Sequence, residues 1–227
     1  LRAGGDPLAT LDQALAALDA AVALNPGYAY AFANRGLAAR TLALYRLERG
    51  EDPLPAVDRA RGDLERALAL NSQIFWAYPE LAAAELLAAR WAMHSGTDPE
   101  PHLDAAEAAA ERGLAANPRN AVAYQGAAEV QRWRAEDRLR RRLPVADEVA
   151  AGRRLAARAL ALNPGSANAM VTEAALCVIE AEDQNDPSSR QATAAAAAAA
   201  LERALTINPL LDLETRDLRQ RLSRLNN

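Results

Sequence analysis

Small and apolar residues recur along this chain at spacings of three, four and seven, the mark of one buried helical face. Aligning the stripes exposes a period. The series Ala14, Ala60, Ala106, Gly152 and Ala197 is small throughout, and so is Ala21, Ala67, Gly113, Ala159 and Ala204; between them run Leu18, Leu64, Ala110, Ala156 and Leu201. A second kind of helix carries a large column, Phe32, Tyr78, Tyr124 and Met170, a small column, Gly36, Ala82, Ala128 and Ala174, and two all-alanine columns that begin at Ala31 and Ala43. The punctuation keeps the same period. Asn25, Asn71, Asn117, Asn163 and Asn208 are spaced by 46, 46, 46 and 45 residues, and all but Asn71 precede proline. Asp6-Pro7, Asp52-Pro53 and Asp98-Pro99 are also 46 apart, and Asp186-Pro187 lies further on. Asp before Pro starts a helix, because the carboxylate caps free N–H groups and proline holds the φ of the first turn. Asn before Pro ends one, because the residue preceding proline is pushed out of the α region.

The pattern predicts an all-α chain of about ten helices. A leading helix covers 7–24. Pairs follow over 27–49 and 53–70, 73–94 and 99–116, 119–140 and 144–162, and 165–182 and 187–207. A last amphipathic helix covers 210–225. The run from Ala194 to Ala200 keeps the repeat columns and reads as packed helix, since alanine is the best helix former. The organisation is one array: a leading half-repeat 1–25, repeats 26–71, 72–117, 118–163 and 164–208, and a cap 209–227.

Composition narrows the chemistry. The 227 residues include 58 alanines, and all 26 basic residues are arginine. Without lysine there is no P-loop lysine, no kinase strand lysine and no Schiff base. A net charge of −4 gives no general pull toward nucleic acid or an anionic membrane. The single cysteine, Cys177, excludes an intrachain disulfide and fits a reducing, cytoplasmic compartment. No stretch is apolar enough to span a bilayer. The chain opens on Leu1 with the second half of a repeat, which reads as a fragment or processed product of a longer protein.

The columns resemble the tetratricopeptide repeat (TPR). Phe32 and Gly36, in the stretch from Asn25 to Ala38, carry that family's large-then-small first-helix pattern, and Ala60, Leu64 and Ala67 its small-large-small second-helix pattern. Ser72 replaces the family's closing proline, and Arg35 and Glu173 stand where leucine is frequent. The usual repeat has about 34 residues; the extra length lies around Arg49–Pro53, so both helices are expected to be longer. The alternating Leu-Asn-Pro and Arg-Gly-Glu-Asp-Pro phrases are similar to arrays attached to large bacterial serine/threonine protein kinases. The resemblance implies a right-handed superhelical solenoid whose first helices line a concave face. On that face it places Tyr30, Asn34, Leu37, Trp76, Pro79, Ala83, Val122, Gln125, Glu129, Arg132, Asn168, Val171 and Thr172. Tyr30 and Trp76 stand out, because aromatic residues often anchor a bound peptide. The face lacks the recurring basic-and-Asn pattern of a peptide-carboxylate clamp.

Catalytic constellations are scarce. His94 and His102 flank the turn Ser95–Pro99 and are expected in solvent, and a metal would need more ligands. Cys177 reads as a small buried hydrophobe. No catalytic residue, cofactor or metal is expected. The most distinctive local feature is Arg132, Arg134, Arg138, Arg140, Arg141 and Arg142, with Arg153, Arg154 and Arg158 nearby. Its fork-shaped donors suit an acidic or phosphorylated partner, but a solvated helix end favoured by the dipole is the default reading, since charge runs usually are solvated faces. The function this supports is a non-catalytic protein–protein interaction scaffold, the regulatory part of a larger bacterial kinase. The alternatives are a module that self-associates through its open half-repeat and an enzyme with an unfamiliar site.

Overall fold

The computed structural model describes residues 7–225. The half-repeat's opening residues and the Asp6 cap therefore lie outside the described residues. The order is α1 (Leu8–Leu24), α2 (Ala29–Glu48), α3 (Leu54–Leu70), α4 (Ala77–Ser95), α5 (Glu100–Ala116), α6 (Ala121–Arg140), α7 (Ala146–Leu162), α8 (Ala167–Asp183), α9 (Pro187–Ile207), a 3-10 turn (Pro209–Asp212) and α10 (Arg216–Leu225). Two compact units divide the chain, Leu1–Pro118 and Arg119–Asn227.

The punctuation works as local chemistry requires, with one role the pattern did not expose. Each period-marking asparagine ends a helix in an extended conformation, and its amide donates to the carbonyl four residues back: Asn25 to Ala21, Asn71 to Ala67, Asn117 to Gly113, Asn163 to Ala159 and Asn208 to Ala204. The side chains then turn the chain. Asn25, Asn71, Asn163 and Asn208 each accept the amide two residues on, at 2.9–3.2 Å, so the asparagine closes one helix and shapes the turn into the next. At the other turn, Asp52 accepts from the Leu54 amide, Asp98 from Glu100, and Asp186 from both the amide and hydroxyl of Ser189.

A third column governs how α2, α4 and α6 stop. Gly50 and Gly96 take positive φ, 71° and 74°, and Arg142 takes 57° one period later. Each precedes an amide that reaches back six-to-one into the helix, Glu51 to Arg46, Thr97 to Ala92 and Leu143 to Arg138, all at 2.9 Å.

In the first unit α2 packs on α3 and α4, α3 on α4, and α4 on α5, while α1 packs on α2. In the second unit α6 packs on α7 and α8, α7 on α8, and α8 on α9, with α10 against α8 and α9. The alanine columns form these seams. Ala43, Ala60, Ala67, Ala77, Ala89 and Ala106 are fully buried in the first unit, and Ala135, Ala159, Ala169, Ala181, Ala197 and Ala204 in the second.

Two boundaries depart from expectation. Helix α4 starts at Ala77 rather than 73, because the chain after Asn71 makes two tight turns that bury Ile74, with the Ala77 amide bonded to the Ile74 carbonyl. The helix expected over 210–225 is split. Asn208-Pro209 opens a 3-10 turn, and the buried Thr215 hydroxyl donates to the Leu211 carbonyl at 2.9 Å before α10 begins. His102 is also corrected. It lies in the first turn of α5, half buried, with Nδ1 3.0 Å from Glu85 Oε2.

Candidate functional site

The repeat leaves one column of the first helices open, five residues after each asparagine. It holds Tyr30 (43% exposed) and Trp76 (36%) in the first unit, and Val122 and Asn168, both exposed, in the second. Tyr28 lies beside Tyr30, with ring centroids 6.1 Å apart. Asn34 is exposed on the next turn, where its amide nitrogen donates to the Tyr30 carbonyl at 2.9 Å, and Leu37 is half exposed beyond it. The first unit therefore offers an aromatic strip with an amide beside it. The pattern also missed a pair between the first helices of this unit: Arg40 of α2 reaches Glu80 of α4 at 2.5 Å.

Two expected face residues are buried. Pro79 falls in the register of Ala33, which is fully inaccessible, and points into the seam. Thr172 is likewise inaccessible; its hydroxyl donates to Glu129 Oε1 at 2.6 Å and to the Asn168 carbonyl at 3.0 Å. Thr172 thus ties α8 to α6 rather than facing outward. Gln125, Glu129 and Arg132 are half exposed in the second unit, with Arg132 bonded to Glu129 at 3.3 Å and lying over the Trp133 ring at 4.0 Å.

The arginine patch is partly engaged with its own helix end. Arg138 Nε donates to the Pro144 carbonyl at 2.6 Å and sits 3.3 Å from Glu148. Arg141 pairs with Asp137 at 2.9 Å. Arg140, Arg141 and Arg142 are exposed.

Several charged pairs hold the seams. Arg35, where the repeat pattern favours leucine, donates two hydrogen bonds to Asp63 (2.8 and 2.6 Å) and one to Asp19 (2.8 Å). Asp63 raises the Arg35 guanidinium, against burial. Arg61 and His102 hold the buried carboxylate of Glu85, and the Glu85 bond raises Arg61. One further column escaped the sequence reading. Arg66, Arg112 and Arg158 stand one period apart, over the rings of Phe32 (6.0 Å), Tyr78 (5.6 Å) and Tyr124 (5.8 Å). Cys177 is 1% exposed, and burial pushes its thiol up, as expected for a packing residue. Among the described residues no group of three or more His, Cys, Asp or Glu side chains could hold a metal ion, and no helix is long and apolar enough to cross a membrane.

Ten helices without a strand among the described residues, built on a 46-residue period, define a helical-repeat solenoid. Solved structures make the class specific. The chain is similar to the thermophilic TPR protein TTC0263 of Thermus thermophilus, with TM-score 0.61 and 20% identity over 96% of this chain and 91% of that one. It is also similar to two crystal structures of MamA, both with TM-score 0.53 and 15% identity, covering 88% and 92% of this chain and 89% and 87% of those chains. The fold is that of the tetratricopeptide-repeat proteins. No protein-family model and no curated protein matches by sequence.

Proposed function

We propose that the chain is a non-catalytic scaffold that binds an extended peptide or protein segment across the first helices of its repeats. The observation that carries this reading is the exposed aromatic strip of the first unit, Tyr28, Tyr30 and Trp76, beside Asn34. A folded core otherwise covers large rings, and aromatic residues left open are the usual anchors of a bound chain. Asn34 and Leu37 supply polar and half-apolar surroundings in the first unit, and Gln125, Glu129, Arg132 and Asn168 offer a surface of the same kind on the second unit. The whole array, 1–227, works as one region of a larger cytoplasmic bacterial protein, and the Leu-Asn-Pro and Arg-Gly-Glu-Asp-Pro phrases favour a serine/threonine kinase as that protein.

Screening the chain against a displayed peptide library gives the test. Selected peptides are expected to lose tenfold or more in affinity, roughly 1.4 kcal/mol, when Tyr30 and Trp76 are both changed to Ala, with the helical signal unchanged. Selection of no peptide, or peptides indifferent to both changes, counts against the reading.

A second site is favoured by Arg142. Its column holds glycine at the two earlier turns, and a non-glycine residue in the left-handed region costs about 1 kcal/mol. Retaining arginine there, beside exposed Arg140 and Arg141 and near Arg138, supports an acidic or phosphorylated ligand. Changing Arg140 and Arg141 to Ala is expected to weaken binding of a phosphorylated peptide; equal affinity removes this site.

A further inference from the structure

The open column of the first unit holds its two rings at a set interval. Tyr30 and Trp76 stand one period apart, each at the N-terminal end of its first helix, and α2 packs directly on α4. Axes of packed helices lie about 8–10 Å apart, so the ring positions repeat at that distance across the face. Trp76 stays open although α2 precedes it, so the repeat itself keeps the column exposed. Ala33 and Pro79, in the next column, are buried in the seam, and Asn34 beside them is polar. The open apolar surface is therefore two rings one helix apart. An amphipathic helix, which needs a continuous apolar groove, has little to lie in.

Charge narrows the ligand further. Between Ala29 and Arg40 of α2, and between Ala77 and Ala88 of α4, every charged side chain is already paired within the unit. Arg35 holds Asp63 and Asp19, Arg40 holds Glu80, and Glu85 is held by Arg61 and His102. A charged ligand side chain would lose water here without meeting a free counter-charge. The strip offers hydrogen-bond donors instead. The hydroxyls of Tyr28 and Tyr30 and the indole N–H of Trp76 bond nothing among the described residues. Asn34 gives one amide hydrogen to the Tyr30 carbonyl and keeps a second.

A neutral segment rich in free carbonyls and poor in N–H groups complements this set. A polyproline helix has that character: its backbone makes no internal hydrogen bonds, and its prolines have no N–H. Its turn is three residues of about 3.1 Å each, about 9 Å in all, which matches the interval of the rings. We propose that the strip takes a proline-rich segment in the polyproline conformation, with prolines three residues apart seated on Tyr30 and Trp76. The proposal rests on the reading of the strip as a peptide site and names its ligand. Such a segment is ordered before it binds, so little conformational freedom is lost on docking.

Titrating fluorescein-labelled peptides with the 227-residue chain and reading anisotropy tests this. The probe is a capped twelve-mer of four Pro-Ala-Gln units; the control has the same residues with its prolines two or four apart. The probe is expected to bind at least about tenfold more tightly than the control. Tyr30→Ala or Trp76→Ala is each expected to abolish that preference with the helical signal unchanged, and Trp76→Phe, which keeps a ring, to retain part of it. Replacing the glutamines of the probe by Glu or Lys is expected to tighten nothing. Equal binding of probe and control, a preference indifferent to both Ala changes, or tighter binding of a charged probe overturns the proposal. The library selection separates it from the broader reading. Selected peptides that need Tyr30 and Trp76 but carry no prolines three apart leave the scaffold standing and remove the polyproline ligand; selection of no peptide removes both.

Discussion

Glycine at positions 36 and 152 marks where one methyl group decides how close two helices come. A Cβ on Gly36 would lie 2.7 Å from Leu64 Cγ and 3.2 Å from the Ala60 carbonyl oxygen; on Gly152 it would lie 2.9 Å from both δ carbons of Leu176. Leu64 and Leu176 are wholly buried, so neither can swing into solvent. Gly36→Ala gains about 0.5–1 kcal/mol of helix propensity and loses about 1–3 kcal/mol to overpacking. The overpacking wins, and a net loss of about 1 kcal/mol is expected in denaturant unfolding; equal or higher stability would show that Leu64 has room. Asp19 shows a different balance at the same scale. The hydrogen bond from Arg59 chiefly, with Arg35 assisting, holds its carboxyl below the usual range. Because the folded group is the stronger acid, its stabilisation is complete above the unfolded value of about 3.9 and drains away as pH falls through the lowered native value. With the side chain nearly half exposed, water screening keeps the contribution under about 1 kcal/mol. Melting wild type and Asp19→Asn side by side should therefore give a gap at pH 7 that shrinks as pH falls below the unfolded value; a gap independent of pH would place the effect elsewhere.

The last helix depends on one guanidinium more than on its own length. Ten residues make a marginal helix alone. Leu218 and Leu222 bury against α8 and α9, and Arg221, 12% exposed, reaches Glu136 of α6 at 2.9 Å and Glu182 of α8 at 2.6 Å. Burial alone would lower the Arg221 guanidinium; hydrogen bonds and charge from Glu182 and Glu136 raise it well above its ordinary value. Arg221→Ala leaves two carboxylates facing each other across the seam, at an expected cost of about 1–3 kcal/mol. Arg221→Met, together with Glu136→Gln and Glu182→Gln, removes the charge conflict and is expected to recover most of that loss. Failure of the triple change to recover stability would mean that geometry, not charge, holds α10. The sequence showed only part of this: Glu136 and Glu182 stand one period apart in a single column, but Arg221 lies 39 positions beyond Glu182 and outside that column, so nothing marked it as their partner. The element boundaries were legible, because capping and pre-proline effects act within two or three residues of Asn and Asp. The final helix misread as continuous shows the limit. Its amphipathic stripe runs through Leu211 and Leu218, and nothing in that stripe signals the turn that Asn208-Pro209 and Thr215 set between them.

At the scale of the whole chain, the period reports which surfaces meet but not which residues stay open. Tyr30 and Trp76 came to the open face through the resemblance to the TPR pattern, not through the columns, since Phe32 and Tyr78 also fall off the small-residue columns and are buried. Pro79 and Thr172 were misplaced on that face, because one helical position separates the open column from the seam and a proline or threonine suits either. The same period sets how instability spreads. Arrays of this kind are held by neighbour contacts, so each repeat's stability is partly its own, and the chain divides into two compact units at Pro118. Overpacking one seam should then open the helices of its own unit first. In native-state hydrogen exchange, Gly152→Ala is expected to lower protection in α6, α7 and α8 while leaving α2, α3 and α4 as in wild type, and Gly36→Ala to do the reverse. Equal loss in every helix for both variants would show that the 227 residues open as one cooperative body, and the repeat would then describe the packing without describing the energetics.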